Sequence, residues 1–277
     1  MRIFVFAAVL IVVTASCVTI PIRERDAFDN KKTVTLEELT RQGLSVASVT
    51  LFPDDSTFLR GWWLTRPDAM GTVLYLGGNG FLLTISKDIL TAIYGQKVNV
   101  LAFDYRGYGE SRGMPTVAGL KRDALAAYHW LVQEKKIAPE KLVLHGHSIG
   151  TFMALHVASK NPAAGLVLES PITNAKDLTG KMVPWILKPL VNFKIDAALL
   201  QDDNRIMVTG LSLPVLLITG AEDKITPSSM AKELYDKSAS PEKTLRIIPR
   251  GGHNDLPLFI EYRNEIGGFY RIVLQSL

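Results

Sequence analysis

The chain has 277 residues, of which 47% are hydrophobic and 21% are charged. This composition supplies enough apolar side chains for a packed core and excludes wholesale disorder. The formal net charge is +4, and the Lys and Arg residues are scattered along the chain, which argues against a nucleic-acid partner. The length is compatible with a single α/β unit built around one large sheet.

An apolar run, Ile3–Val13, follows Arg2 near the start of the chain. A membrane-spanning helix needs about 20 apolar residues, so this run is too short to span a bilayer. It has the length of a signal-peptide core instead. Small residues at 14–16 then precede Cys17, the only cysteine, in a pattern that resembles the lipobox of bacterial lipoproteins. We therefore expect a signal peptide over residues 1–16 and a lipid on Cys17.

Two alternatives for the N-terminus are a cleaved secretory signal without lipid and an uncleaved anchor. The lipobox match departs at Thr14, where that family usually has leucine. Lipid on Cys17 would consume the one thiol, so no disulfide could form within the chain. Residues 17–45 would then form a tether and lead-in segment. The lipoprotein resemblance implies a bacterial envelope protein held at a membrane and facing the periplasm or the outside.

Residues 46–277 are expected to form the folded domain, in which apolar β-type segments alternate with helical patterns. Val46–Leu51 and Phe58–Leu64 flank the turn-forming Pro53–Ser56 and predict an opening antiparallel hairpin. Val117–Glu134 has apolar residues every three or four positions and predicts an amphipathic helix. Six further segments are short and almost continuously apolar, as parallel strands covered on both faces are. These six are Thr72–Leu76, Val98–Phe103, Lys141–Leu144, Gly165–Leu168, Val215–Thr219 and Leu245–Ile248.

This order predicts a mostly parallel eight-stranded sheet with helices on both faces. In such a sheet, reactive groups gather beyond the carboxyl ends of the strands. One segment fits this position well: residues 146–150, Gly-His-Ser-Ile-Gly, stand between a predicted strand and a helix-compatible stretch. Gly146 and Gly150 permit a sharp strand-to-helix turn that holds the hydroxyl of Ser148 near the helix N-terminus. The pattern alone would also fit a glycine-rich turn, but its setting favours a nucleophilic serine.

Here the sequence resembles the α/β-hydrolase family over nearly all of residues 45–265. Leu76–Gly80 stands where that family carries an oxyanion loop after the third strand, and Phe103–Ser111 resembles its signature after the fourth. The resemblance implies that the backbone N–H groups of Asn79 and Ile149 bind the negative oxygen of a tetrahedral intermediate. An ordinary turn is the alternative for this loop.

Two glycines of the loop, Gly77 and Gly78, follow the strand directly. Gly77 replaces the histidine usual in the family, a departure that leaves the backbone amides available. We therefore count both glycines among the candidate site residues.

A serine nucleophile needs a base, and a histidine base needs an orienting carboxylate. His253 lies in a glycine-rich loop after the last strand, where the family places its catalytic histidine. Asp223 follows the preceding strand and matches the position of the family's carboxylate. The resemblance implies Asp223 and not the neighbouring Glu222, because the family has Gly-x-x-Asp spacing and Gly220 stands three residues before Asp223. The resulting chain order of serine, aspartate and histidine is the order of this fold.

The remaining histidines are interpreted as structural or supporting; they are His129, His145, His147 and His156. Asp104 is a chemical rival for the carboxylate, but its place in the family signature favours a structural hydrogen-bonding role. The histidines lack metal-ligand spacing and there is no second cysteine, so neither a metal nor a cofactor is expected.

The family resemblance places a small cap at about residues 171–213, between strands six and seven of the sheet. The middle of the cap is apolar, which would suit a hydrophobic acyl group, although these residues could simply pack a helix onto the sheet. We expect a serine hydrolase that cleaves carboxylic esters, or thioesters, of small-molecule substrates through an acyl-enzyme on Ser148. A peptidase of the same fold and a non-catalytic, membrane-tethered scaffold lipoprotein are the alternatives.

Overall fold

The computed structural model describes residues 18–22, 40, 44–181 and 191–275. Within these ranges the chain forms ten strands and seven α-helices. The strands are β1 (Val18–Ile22), β2 (Val46–Leu51), β3 (Leu59–Leu64), β4 (Thr72–Leu76), β5 (Asn99–Phe103), β6 (Leu142–His147), β7 (Gly165–Glu169), β8 (Val191–Ile195), β9 (Val215–Gly220) and β10 (Lys243–Ile248). The helices are α1 (Lys87–Tyr94), α2 (Val117–His129), α3 (Gly150–Ala158), α4 (Ala175–Lys181), α5 (Asn204–Met207), α6 (Ser228–Lys237) and α7 (Ile260–Gln275).

Eight strands form one sheet in the order β10-β9-β7-β6-β4-β5-β3-β2. Only β3 runs antiparallel to its neighbours, β2 and β5; the other pairs are parallel. The predicted eight-stranded, mostly parallel sheet is therefore confirmed, including the opening hairpin. The hairpin turn closes through a hydrogen bond from Ser56 N to Pro53 O of 2.8 Å.

The central strands are buried on both faces, which explains why they are almost continuously apolar. Every residue of β4, β6, β7 and β9 is buried. Along β4, Leu74 and Leu76 belong to a core shared with α2 and α3, whereas Val73 and Tyr75 belong to a second core shared with α1 and α7. Alternate side chains of one strand thus serve the two helical layers.

The predicted amphipathic helix forms over its whole length, but with a change of geometry. The α2 helix begins at Val117, and the hydroxyl of Thr116 caps it by accepting from the amide of Gly119. After His129 the chain continues as a π-helical turn, Trp130–Glu134. Its buried residues, Trp130 and Leu131, extend the apolar stripe of the helix into the core.

Between β7 and β9 the chain leaves the sheet and forms α4, β8 and α5. The β8 strand pairs in parallel with β1, and Val18 lies opposite Val191. A salt bridge of 2.7 Å between Lys121 Nζ and Asp202 Oδ1 links this cap to α2. The sequence did not predict β1, which falls within the segment interpreted as a tether.

Several predictions from the sequence lie outside the described residues. They are the signal peptide over residues 1–16, Cys17, and most of the apolar middle of the cap, residues 182–190. No helix in the described part of the chain combines the length and the apolarity needed to cross a bilayer.

Candidate active site

Ser148 stands at the turn between β6 and α3. Its φ is +53°, a left-handed conformation that non-glycine residues seldom adopt. Two hydrogen bonds hold this turn: Ser148 N donates to Glu169 O at 3.0 Å, and Thr151 Oγ1 donates to Ser148 O at 2.6 Å. The side chain is therefore held at a strained strand-to-helix turn of the kind that presents a nucleophile.

The two glycines of this turn allow its backbone to pass close to neighbouring elements. A Cβ on Gly150 would lie 2.0 Å from the carbonyl oxygen of Leu76, at the end of β4. A Cβ on Gly146 would lie 2.4 Å from the carbonyl oxygen of Gly150. Any larger residue would force α3 away from the sheet, so the spacing of the two glycines is a packing requirement.

Asp223 and His253 meet Ser148 at the carboxyl edge of the sheet. His253 Nε2 lies 3.1 Å from Ser148 Oγ, and His253 Nδ1 lies 2.8 Å from Asp223 Oδ2. Asp223 follows β9 and His253 follows β10, and both strands run parallel to β6. Parallel strands end at one edge of a sheet, which is why residues 105 positions apart along the chain come into contact.

The environment of Asp223 favours its charged form. The side chain is buried, which acts to raise its pKa, but hydrogen bonds with His253 and Thr226 outweigh burial and hold the pKa below its usual range. Oδ1 accepts from the amides of Ile225 and Thr226, at 2.9 and 2.8 Å, and Oδ2 accepts from the Thr226 hydroxyl at 2.8 Å. An ionised carboxylate can only accept, so His253 Nδ1 carries the proton and Nε2 is left to accept from Ser148 Oγ.

The loop after β4 lies beside the serine. A Cβ on Gly78 would be 3.1 Å from Ser148 Cβ, and one on Gly77 would be 2.2 Å from the ring of Phe81. Asn79 follows directly, and its Oδ1 accepts a hydrogen bond from Tyr108 OH at 3.0 Å. The loop is thus packed against the serine and fastened to the segment that follows β5.

Ile149 occupies the N-cap of α3 with helical dihedrals, φ −61° and ψ −26°. Its amide therefore belongs to the N-terminal end of a helix, where backbone N–H groups and the helix dipole favour negative charge.

His147, which precedes the serine, is tied to the loop that carries His253. His147 Nε2 lies 3.0 Å from the carbonyl oxygen of His253, and the two rings are 5.0 Å apart. Since a carbonyl only accepts, His147 Nε2 is the donor. Burial lowers the pKa of His147, which favours a neutral ring.

A buried acid, Glu169, lies at the end of β7. Its Oε2 accepts from Tyr262 OH at 2.7 Å and pairs with His145 Nε2 at 2.9 Å, and His145 Nδ1 lies 2.7 Å from Tyr270 OH. Burial acts to raise the pKa of Glu169, but the hydrogen bonds with His145 and Tyr262 leave it below the usual range. The network joins α7 to β7 and to β6, the strand that leads to Ser148.

A match to a known protein family agrees with the site geometry. The family model described as "Serine aminopeptidase, S33" (Hydrolase_4) matches residues 68–210 and 193–256. The chain belongs to this family. It is a serine hydrolase of the α/β-hydrolase fold, which is the fold that the sequence motifs predicted.

Three relatives show how far the similarity extends. The uncharacterized protein Rv2307c of Mycobacterium tuberculosis is 32% identical over 230 residues, which are 82% of this chain and 79% of that protein. The uncharacterized membrane protein YNL320W of Saccharomyces cerevisiae is 31% identical over 221 residues, 77% of this chain and 75% of that protein. The lysophosphatidylserine lipase ABHD12 of Danio rerio is 32% identical over 223 residues, 74% of this chain and 54% of that protein.

A solved structure shares the architecture. The esterase Pf2001 of Pyrococcus furiosus superposes with a TM-score of 0.73 and covers 89% of this chain and 99% of its own. Its sequence identity is 19%, so the likeness is one of fold.

Asp104, the rival candidate for the orienting carboxylate, binds other groups and does not face His253. Asp104 Oδ1 accepts from the amide of Leu83 at 2.9 Å, and its backbone oxygen accepts from Ser111 Oγ at 2.6 Å. Burial raises the pKa of Asp104 to about 6. Its carboxylate fastens the segment after β4 to the segment after β5, whereas the carboxylate that faces His253 is that of Asp223.

Two cavities adjoin the strand-to-helix turn of residues 146–150, which we call the elbow. The first, of about 120 Å³, lies between the cap and helices α2 and α3, and its walls include Leu120, Ile149, Phe152, Leu178 and Ile195. The second, of about 280 Å³, lies on the other side of the sheet and is lined by polar groups that include Asn79, His147, Glu169 and Asn254. The apolar cavity thus reaches the residue that follows Ser148.

The sequence did not single out Thr226, Glu169 or Tyr262. Glu169 could have been noticed as an acid at the carboxyl end of a buried strand, a position where charge is seldom left without a partner. Thr226 and Tyr262 carry no comparable signal, since a threonine in a loop and a tyrosine on a helix are ordinary.

Replacing Glu169 with Gln tests the buried network. The wild-type pKa lies below its ordinary value of 4.5, so the folded state gains stability from the ionised form above that pH and loses it as the pH falls through and below that value. We expect Glu169→Gln to lower the free energy of unfolding by about 1 to 3 kcal/mol at neutral pH. We also expect the variant to lose less stability than the wild type as the pH falls through and below that ordinary value.

Urea unfolding at neutral and acidic pH measures both effects. Glu140→Gln, at an exposed position, is the control and should behave as the wild type does. A variant at position 169 with wild-type stability at both pH values would contradict the assigned role of the network.

Proposed function

We propose that the protein hydrolyses carboxylic esters, or thioesters, through an acyl-enzyme formed on Ser148. The observation that carries the proposal is the continuous chain of contacts from Ser148 Oγ through the His253 ring to Asp223. Nucleophile, base and orienting carboxylate lie in the order and geometry that acyl transfer by this fold requires.

The reaction follows from these contacts. As Ser148 Oγ attacks the acyl carbon, its proton moves to His253 Nε2, and Asp223 stabilises the imidazolium through Nδ1. The N–H groups of Asn79 and Ile149 would bind the negative oxygen of the tetrahedral intermediate. The leaving alcohol or thiol takes the proton from Nε2, and water, activated by the same nitrogen, then releases the acid and restores the serine.

An apolar cavity beside the nucleophile supports a hydrophobic acyl substrate. The apolar cavity between the cap and helices α2 and α3 adjoins Ile149, next to the nucleophile, and a cavity of this kind suits a hydrophobic acyl chain. Ester hydrolysis is also the activity for which two similar proteins are named, an esterase and a lysophosphatidylserine lipase.

Replacing Ser148 with Ala tests the nucleophile. We expect hydrolysis of p-nitrophenyl esters to fall by at least about 10³-fold, because the attacking atom is removed, and labelling by a fluorophosphonate to disappear. Ser159→Ala is the control, since Ser159 lies at the far end of α3 and its hydroxyl donates to the carbonyl oxygen of His156. Undiminished hydrolysis in the Ser148 variant would contradict the assignment, and inactivity of the wild type on all acyl esters would favour the scaffold alternative.

Replacing Leu178 with Trp tests the acyl cavity. Leu178 lines it from α4, and the larger ring should occupy the space that a long acyl chain would take. We expect kcat/KM for p-nitrophenyl octanoate to fall by roughly tenfold or more while that for the acetate is unchanged. Ile206→Trp, at an exposed position of α5, should alter neither. Equal losses on both esters would show that the cavity does not hold the acyl group.

Replacing Cys17 with Ser tests the anchoring that we propose for the N-terminus: export, lipid on Cys17 and attachment to the bacterial envelope. The apolar run before Cys17 supports attachment, as does the similarity to a yeast membrane protein. We expect the variant to lose metabolic labelling by palmitate and to leave the membrane fraction. Retention of both the label and the membrane location would exclude lipidation at this cysteine.

A further inference from the structure

Several large apolar side chains are exposed at the end of the molecule that carries Ser148. They follow the carboxyl ends of β4, β5, β9 and β10, and we call them the apolar rim: Ile85, Met114, Ile225, Leu258 and Ile260. Their exposures range from 50% for Ile225 to 75% for Met114. A single exposed apolar residue needs no explanation, but repeated exposure at one end of a molecule indicates a contact surface.

The sheet order places the rim on both sides of the serine. Strands β4 and β5 lie on one side of β6, and β7, β9 and β10 lie on the other. Two rim residues also stand close to the triad along the chain, because Ile225 follows Asp223 by two positions and Leu258 follows His253 by five. The rim therefore brackets the site from four separate loops.

The N-terminal segment joins the folded chain at the same end. Strand β1 pairs with β8 of the cap, and Ile195 of β8 lines the apolar cavity together with Ile149. The apolar run Ile3–Val13 ends five residues before Val18. Cys17 directly precedes Val18. An anchor at this run or at Cys17 would therefore be linked to β1 by only a few residues of chain.

The exposed rim surrounds the site, and the N-terminal segment joins the cap at the same end of the molecule. From these two observations we infer that the apolar rim rests on a lipid bilayer, with the site opening toward the acyl layer. An N-terminal anchor, either the lipid on Cys17 or the run Ile3–Val13 if it is not cleaved, would hold the same end of the molecule at the bilayer. For this reason we assign the rim to lipid and not to a second protein. This orientation on the bilayer does not depend on which reaction the protein catalyses. Its consequence, that substrate esters are drawn from the bilayer, rests on the proposed function.

A matched pair of positions tests the orientation without using activity. Ile272 of α7 is 62% exposed and Leu258 is 64% exposed, but Ile272 lies at the opposite end of the sheet, beside Pro139 and Pro162, which precede β6 and β7. An environment-sensitive fluorophore is attached to Leu258→Cys or to Ile272→Cys in the full chain, bound to phosphatidylcholine vesicles. Any label on Cys17 is common to both proteins.

We expect a blue-shifted emission, quenched by brominated lipid, at position 258 and a water-like emission at position 272. Similar emission at the two positions would overturn the inference. So would a fall in particle mass, without lipid, when Met114 and Leu258 are both replaced by Ser, because the rim would then join two copies of the chain.

The same double variant, Met114→Ser with Leu258→Ser, tests the consequence for turnover. We expect on the order of a tenfold loss in hydrolysis of a long-chain ester embedded in the vesicles, since less apolar surface is buried at the bilayer. Hydrolysis of a water-soluble butyrate ester should be unchanged, and Ile272→Ser should alter neither rate. Undiminished hydrolysis in vesicles would overturn the inference, whereas a wild type that cleaves neither ester would defeat the proposed function and leave the fluorescence result to decide the orientation.

Discussion

The close approach of α3 to the end of β4 is the constraint on which the rest of the site depends. At Gly150 the backbone lies so near the carbonyl of Leu76 that no side chain fits. This contact holds Ser148 at a positive φ and brings the loop that contains Gly78 against it. A nucleophile, a helix N-terminus and a second candidate oxyanion donor therefore meet because one helix packs unusually close to one strand.

The position of His253 depends on a second, polar layer. His147 donates to the carbonyl of His253, while Glu169 collects hydrogen bonds from His145 and Tyr262. A buried charge is tolerated only when hydrogen-bond donors satisfy it, and a satisfied buried network makes the surrounding structure rigid. The elbow, the histidine loop and α7 are thereby held in one arrangement.

The topology of the sheet gathers several features at one end of the molecule. Loops that follow parallel strands lie at one edge of the sheet, so the triad, the apolar rim and the cap share that edge although they come from several separate segments of the chain. The pairing of β1 with β8 brings the N-terminal segment there as well. Attachment to a membrane and access to the site would then be features of a single surface.

The sequence by itself determined the eight strands of the main sheet, the amphipathic helix, the elbow and the three candidate side chains Ser148, Asp223 and His253. These depend on local periodicity and on short turns that are visible within a few residues. Tertiary structure decided the contacts between distant segments. The bond from Tyr262 to Glu169 joins residues 93 positions apart, and the bond from His147 to His253 joins residues 106 apart. The pairing of β1 with β8 is likewise remote. Such contacts are set by how the whole chain closes, since short polar or β-type segments carry no mark of their eventual partners.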